Sequence, residues 1–457
     1  MHDADRASSI RVASPIAVAS NVCESFFVTS DPPARSAFVL VAMLVATTSL
    51  SQFFRASTNV IAPELIRDLS LTPEMLGFAN ACFFLALMAV QVPVGILFDR
   101  VGARLTVAAL SGLAVAGSAL HLVVENGREL AAARFLIGIG HGGSFMATVF
   151  LISRWYPRAR WSTALSWVFA FSMLGIVTAG TPLALVASAF GWRTAFAGMA
   201  AVSAIVGFLF YVLVRDDPPG GRREPPSGET LLAAAKGFLT IIRLPGLPRV
   251  LALQTVAYAV IATVLGLWAG PYLNDVHGLG PVERGNVLIL MAAGQTLGVL
   301  AYGPLDRRFD TRKGVAVTGA GLTMLALLAF AAVARPPTLL AIAMLVALSA
   351  ISAYGIVVVS HCRTFYPEAL AGRGATTANM AQLLGCALLP IVTGQIAGLF
   401  PATGVGYAPV AYQWIFATIA AALGVGLAVY LTAVDARPSG APPASTSVPR
   451  PTTGRRE

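Results

Sequence analysis

The sequence predicts an all-α membrane protein of twelve transmembrane helices arranged as two repeated six-helix bundles, and three observations predict it. Of the 457 residues, 56% are hydrophobic and only 11% charged, with a mean hydropathy of +0.75; a soluble globular chain of this size does not carry that balance. Apolar runs of about 20 residues, the length that crosses a hydrocarbon core as a helix, recur twelve times. Anchors also repeat at a nearly constant offset. Asp99-Arg100 and Asp306-Arg307 stand about 207 residues apart, Trp155-Tyr156-Pro157 and Phe365-Tyr366-Pro367 about 210, and Pro182 and Pro390 about 208. One chain therefore holds two copies of one unit.

In chain order, residues 1–35 contain no uninterrupted apolar core followed by a cleavage site, so they read as a tail rather than a signal peptide. Apolar runs follow near 36–62, 75–98, 104–125, 130–154, 161–189 and 194–214, making a first bundle over 36–214. Residues 215–248 open Arg215-Asp216-Asp217-Pro218-Pro219, too polar to span and long enough to join two bundles. The apolar part of this linker, Leu231 to Ile242, suits a helix lying on the membrane surface. Runs resume near 249–273, 284–305, 314–334, 337–361, 371–400 and 408–433, a second bundle over 249–433. Residues 434–457, rich in Pro, Ser and Thr, read as a disordered tail.

The basic residues set the expected orientation. Of the 31 Lys and Arg, about 17 fall in loops 2–3, 4–5, 6–7, 8–9 and 10–11 and 7 in the tails, against about 6 on the opposite side. Cytoplasmic loops carry such an excess, so both termini are expected in the cytoplasm of a bacterial-type inner membrane. The net charge of +10 is spread over short loops beside spans, not gathered on a soluble face, which argues against nucleic acid. Cys23, Cys82, Cys362 and Cys386 show no metal-ligand spacing, and a disulfide framework is not expected. No extramembrane segment holds a nucleophile–base pair or a phosphate loop, so the chain is not read as an enzyme, and no cofactor is expected.

The loop after the second run reads Gly95-Ile-Leu-Phe-Asp99-Arg100-Val-Gly102-Ala-Arg104, and its repeat Gly303-Pro-Leu-Asp306-Arg307-Arg308-Phe-Asp310-Thr-Arg312-Lys313. Both resemble the loops between helices 2 and 3 and between helices 8 and 9 of major facilitator superfamily transporters. The resemblance covers roughly residues 36–433 and implies the major facilitator fold. Gly95 permits close helix approach and Gly102 a tight turn, while Asp99, Arg100, Arg104, Asp306 and Arg307 would form a latch against a helix end of the other bundle. Ala103 stands where the family usually has a second basic residue.

Arg55 is the most informative single residue, since a charge inside the membrane is costly and faces a cavity or a partner. With Thr48, Gln52 and Asn59 it forms a stripe at spacings of 4, 3 and 4 on helix 1. The family resemblance makes helices 1, 4, 7 and 10 line the central path. Phe53-Phe54-Arg55, with Pro63 eight residues on, looks like the helix 1 segment of organophosphate and other organic-anion antiporters, whose arginine binds the anion. Those phosphate exchangers carry a second arginine in helix 7. Here helix 7, Leu251 to Leu273, has none, and Gln254 and Tyr258 share a face instead, which favours a carboxylate or other monoanion over a phosphate monoester.

In helix 4, Arg134-Phe-Leu-Ile-Gly138-Ile-Gly140-His141-Gly142-Gly143 contains glycines at dinucleotide-motif spacing, but no strand precedes them; close helix packing explains them better. The segment also resembles the family's helix 4 signature, which implies proton coupling for Arg134; an arginine snorkelling from near the helix start is the other reading. His141 lies near mid-membrane with Ser144 and Thr148 on its face, placed to carry a proton or hydrogen-bond a substrate, or to pack as a neutral ring. His121 reads as structural. Ser352, Tyr354, Asn379 and Gln382 add neutral hydrogen-bonding groups. Within these limits, apart from Glu125 at the very end of the third run, no Asp or Glu falls inside any span, which argues against efflux of cations. Protons would then involve His141 or Glu64 and Glu74 near the helix ends.

These observations lead to a permease moving a small organic anion by alternating access, with Arg55 as counter-charge and Gln52, Asn59, His141, Gln254 and Tyr258 as hydrogen-bonding partners. Efflux of neutral or amphipathic compounds is the alternative, and a transporter-like membrane sensor the second. A single chain already contains both bundles, so a monomer suffices.

Overall fold

The computed structural model describes residues 34–157, 160–218, 231–366, 370–400, 402–403 and 406–439. Twelve of its helices are long and apolar enough to cross a membrane: helix 1 (Ser36–Leu69), helix 2 (Pro73–Arg100), helix 3 (Ala103–Leu120), helix 4 (Gly127–Trp155), helix 5 (Thr163–Phe190) and helix 6 (Trp192–Leu213), then helix 7 (Leu247–His277), helix 8 (Pro281–Arg308), helix 9 (Arg312–Ala332), helix 10 (Thr338–Phe365), helix 11 (Gly372–Gly398) and helix 12 (Pro409–Tyr430). Local chemistry sets several starts. Thr72 accepts from the Met75 N–H ahead of Pro73, Asn126 accepts from the N–H groups of Arg128 and Glu129, and Thr311 accepts from Gly314; each satisfies donors that a first turn leaves unpaired. A two-residue antiparallel ladder, Ala402 to Tyr407 and Thr403 to Gly406, lies between helices 11 and 12.

Several helices outrun the expected spans. Helix 1 continues through Pro63 to Leu69, and helices 2 and 7 reach Glu74 and Asp275. The expectation of spans free of acidic residues is therefore corrected: Glu64, Asp68, Glu74, Asp99, Glu129, Asp275, Glu283 and Asp306 lie within helices, near their ends. Apolar runs locate the hydrocarbon-spanning part of a helix, and helical hydrogen bonding continues past it into the polar zone.

The linker contains a helix at Leu231–Ile242 that packs against the Gln91–Arg100 part of helix 2 and against helix 11. Other extended packing between the halves runs through helices 2 and 11, 5 and 8, 1 and 7, and 1 and 8. It is tightest on the side away from the linker. There the backbone of Gly77 meets the carbonyl of Pro390 so closely that no side-chain carbon would fit between them. Polar contacts join the halves on this far side, among them an Arg284 Nη2 donation to the Val60 carbonyl at 3.2 Å. Arg284 Nη2 meets Glu64 Oε1 at 2.5 Å, Thr181 Oγ1 donates to Asn286 Oδ1 at 2.6 Å, and the Gly270 N–H donates to Asn59 Oδ1.

Candidate functional site

Between the halves, on the linker side of these contacts, lies a cavity of about 400 Å³. Broken helices build it. Helix 2 is interrupted at Val90, three residues before Pro93, and supplies Gln91. Helix 4 breaks at Gly142-Gly143 and supplies His141, Gly142 and Ser144. Helix 5 breaks at Met173 and supplies Ser172 and Met173, while helix 10 tightens to a 3₁₀ turn over Ser352–Tyr354 and supplies Ile356. Irregular backbone at membrane depth is tolerated where it borders a cavity, and such breaks turn side chains of an apolar helix toward the centre.

The polar stripe of helix 1 divides. Thr48, Gln52 and Arg55 line the cavity together with Ser51. Asn59, expected among them, does not: it is 2% exposed and accepts from Gly270 across the halves. One more turn along helix 1 carries it out of the cavity and into the far-side contact. The Arg55 guanidinium lies 5.7 Å from the centre of the Phe84 ring, and its Nε is buried without a hydrogen-bond partner. Tyr258 on helix 7 lines the same cavity and sits beside Arg55. His141 packs its ring 5.1 Å from that of Phe54, and its Nε2 is buried without a partner. It also borders a pocket of about 10 Å³, with Thr47, Ser144 and Ser203, the size of a single water site.

Gln254 is likewise corrected. It is 2% exposed and does not line the cavity; its Nε2 donates to Gln382 Oε1 at 3.1 Å, and Gln382 and Asn379 of helix 11 form the lining. Gln91 is the lining residue that sequence reading passed over. Its signal was available, an amide inside an apolar run two residues before a proline, but no periodic stripe marked it. Among the described lining residues Arg55 is the only full cation and there is no carboxylate.

Arg134 does not snorkel. Helix 4 starts at Gly127, so Arg134 lies two turns in; it is 2% exposed and donates to the Phe54 carbonyl at 2.7 Å and to Asn80 Oδ1 at 3.1 Å. His121 is buried, with Nδ1 2.9 Å from the Gly117 carbonyl and its ring stacked on Phe196. Cys82, Cys362 and Cys386 are buried free thiols, and Cys23 lies outside the described residues.

Gly102 and Arg104 of the first loop motif, and Asp306, Arg312 and Lys313 of the second, contact their own half of the molecule. Gly102, at φ 102°, faces the Asp216 carboxylate just past helix 6, and the Arg104 N–H donates to Asp216 Oδ1 at 2.8 Å. Arg104 Nε donates to the Tyr211 carbonyl at 2.5 Å. In the second half Asp435, just past helix 12, accepts from the Lys313 N–H at 2.9 Å and from Thr311 Oγ1 at 2.5 Å, while Asp306 meets Arg312 at 3.4 Å. The expected partner, a helix end of the opposite bundle, is not where Gly102 and Arg104 lie in this structure. Burial alone would raise the Asp435 carboxyl, but the Thr311 and Lys313 donors outweigh it and hold it below the usual carboxylate range.

The Major Facilitator Superfamily profile matches residues 44–299 and 250–457. A putative tartrate transporter of Agrobacterium vitis is 25% identical over 396 residues, 82% of this chain and 87% of that protein. A probable sulfoacetate transporter of Cupriavidus necator is 32% identical over 173 residues, 36% of this chain and 38% of its own length. A probable galactarate/D-glucarate transporter of Bacillus subtilis is 27% identical over 208 residues, covering 42% and 43%. Among solved structures, the D-xylose-proton symporter superposes with a TM-score of 0.68 at 17% identity, over 85% of this chain and 97% of that one, a likeness of fold. Twelve membrane-length helices, a central polar cavity between two halves and a profile match along the chain agree: the protein belongs to the major facilitator superfamily and is a multi-pass membrane transporter.

Proposed function

We propose that the protein is a secondary transporter of small organic anions, working by alternating access, with Arg55 as the substrate's counter-charge. The observation that carries this reading is the charge balance of the central cavity, where Arg55 is unmatched by any carboxylate among the described lining residues. A cation in a confined, partly desolvated site favours an anionic ligand, and its planar fork suits a carboxylate or sulfonate. Gln52, Gln91, His141, Tyr258, Asn379 and Gln382 provide neutral hydrogen-bonding groups for the rest of such a molecule. The printed names of the relatives, tartrate, sulfoacetate and galactarate/D-glucarate transporters, support the same substrate class. The basic loops support a cytoplasmic linker and cytoplasmic termini, and with that orientation a cavity on the linker side fits the inward-facing state of a monomeric carrier in the inner membrane. Any coupled proton would involve His141 or a carboxylate near the far side, since Arg134 is committed to Phe54 and Asn80.

Thermal stabilisation of the purified protein by sulfoacetate, L-tartrate, D-glucarate, sugars and organic cations, compared between wild type and Arg55→Gln, tests the assignment. A ligand that binds the folded state stabilises it by mass action. Anions should raise the wild-type midpoint, and Arg55→Gln should abolish that response. Equal stabilisation of both proteins by cations or neutral amphiphiles would replace the anion reading with efflux.

A further inference from the structure

Arg55 belongs to the first half. A ligand closes a two-half carrier only through contacts that are better in the closed state than in the open one, so an anion held by Arg55 needs a partner on the second half. The one arginine of helix 7, Arg249 near its start, donates to the Thr432 carbonyl and does not line the cavity. The second half lines the cavity with Tyr258, Ile356, Asn379 and Gln382, and one of these is hydrogen-bonded from outside the cavity.

An amide has an acceptor end and a donor end, and which end faces an anion decides between attraction and repulsion. Gln254, buried outside the cavity, donates to Gln382 Oε1 at 3.1 Å. With its oxygen engaged, Gln382 has its Nε2 and two N–H donors left for the cavity side. Gln254 keeps this arrangement although its own Oε1 is buried with no partner.

We propose, resting on the anion-permease reading, that Gln382 is the second half's hydrogen-bond donor to the substrate anion and that Gln254 is the positioning residue that turns the Gln382 amide N–H groups toward it. Arg55 and Gln382 then hold one anionic group from opposite halves. Gln254, which touches no substrate, acts by setting the polarity of its neighbour.

The test uses the full-length protein in detergent and apparent affinities for sulfoacetate, L-tartrate and D-glucarate. Gln382→Met should weaken anion binding about tenfold or more, the effect of losing a hydrogen bond to a charged group. Gln254→Glu should make affinity depend on pH beyond the wild-type profile. At low pH the neutral acid donates to Gln382 Oε1 as the amide does, and binding is kept. At higher pH the carboxylate accepts instead, turns the Gln382 oxygen into the cavity, and affinity falls about tenfold or more. Arg55, His141 and Tyr258, which line the cavity, and Cys386, one turn from Gln382, are common to all variants, so the wild-type profile is the baseline.

The added pH dependence should vanish in Gln254→Glu/Gln382→Met, which has no amide to turn. Its persistence would mean a charge felt through space, and the positioning role would fall. If Gln254→Glu does not fold, Gln254→Met serves: affinity should drop severalfold in wild type and not at all in a Gln382→Met background, whereas additive losses would overturn the pairing. Binding unchanged by Gln382→Met but lost in Arg55→Gln would remove this inference and leave the anion reading in place. Failure of all three anions to stabilise the wild type, or their unchanged binding to Arg55→Gln, would remove both.

Discussion

Arg55, Arg134 and Arg284, all well inside or at the seam of the membrane helices, sit in three different surroundings. The Nε of each is buried without a partner, but Arg55 lines the cavity, Arg134 donates to a carbonyl and an amide inside its own half, and Arg284 crosses to the other half. Desolvating a guanidinium is costly unless its donors are used; Arg134 and Arg284 use theirs on internal acceptors, while Arg55 faces the cavity. Arg134 bonds the helix 1 carbonyl of Phe54, the residue before Arg55, and so fixes helix 1 against helices 2 and 4. Arg134→Ala should therefore lower the stability of the ligand-free protein by about 3 kcal/mol, two charge-assisted hydrogen bonds being lost, with anion affinity of the folded fraction unchanged. Arg134→Lys should restore this only in part, because a point charge does not reproduce the fork. Loss of proton-driven flux at wild-type stability would instead assign Arg134 to coupling.

Among the elements, the repeat is expressed in how helices begin. Helices 3 and 9 each start beneath an aspartate supplied from just beyond the last helix of their own half, Asp216 for Arg104 and Asp435 for Lys313. A carboxylate at a helix start pairs with free N–H groups and the positive end of the helix dipole, so the sixth helix of each half is tied to the third. Asp435→Asn should cost about 1 kcal/mol. The sign of its pH effect follows from the lowered carboxyl. A depressed folded-state value makes the stabilisation complete above the ordinary aspartate range, near about 3.9, and it is lost as pH falls through the folded value. Thermal midpoints at neutral and acid pH should show the wild type losing its advantage over Asp435→Asn on acidification. A constant gap would mean that the carboxylate charge plays no part.

For the whole molecule, the proposed alternating access makes the far-side contacts the seal of one conformation. Arg284, 2% exposed, bonds Glu64, the Val60 carbonyl and Asn274, joining helix 1 to helix 8 where the halves meet. Opening toward that side would have to break this pair and expose the glycine-packed backbone of helices 2 and 11. Glu64→Gln should shift the population toward the opposite opening, since removing one partner of a buried pair leaves the other uncompensated. A cysteine introduced as Gln52→Cys, in a background lacking the native thiols, should then react about tenfold or more faster with a membrane-impermeant reagent added from the far side. An unchanged rate would show that packing alone maintains the seal.

The fold was legible because a bilayer permits few spanning structures: apolar length gives the helices, and the 207-residue offset gives the repeat. Arg55 was legible too, since a charge in an apolar run has few explanations. A helical stripe, however, names a face and not its neighbours. Asn59 and Gln52 lie on the same stripe, yet one seals the halves and the other lines the cavity, because the halves converge between them. Gln254 stood on the right helix with the wrong task, its neighbour Gln382 being 128 residues away. Gln91 carried no periodic signal, and Asp216 and Asp435 read as tail and linker charges until helices 3 and 9 were placed beside them. The sequence by itself determined that this is a membrane protein of twelve helices in two related halves with one exceptional arginine, because those properties are local and additive along the chain. Only the tertiary structure decided which polar groups meet, since that depends on helix breaks, crossings and the relative tilt of the halves.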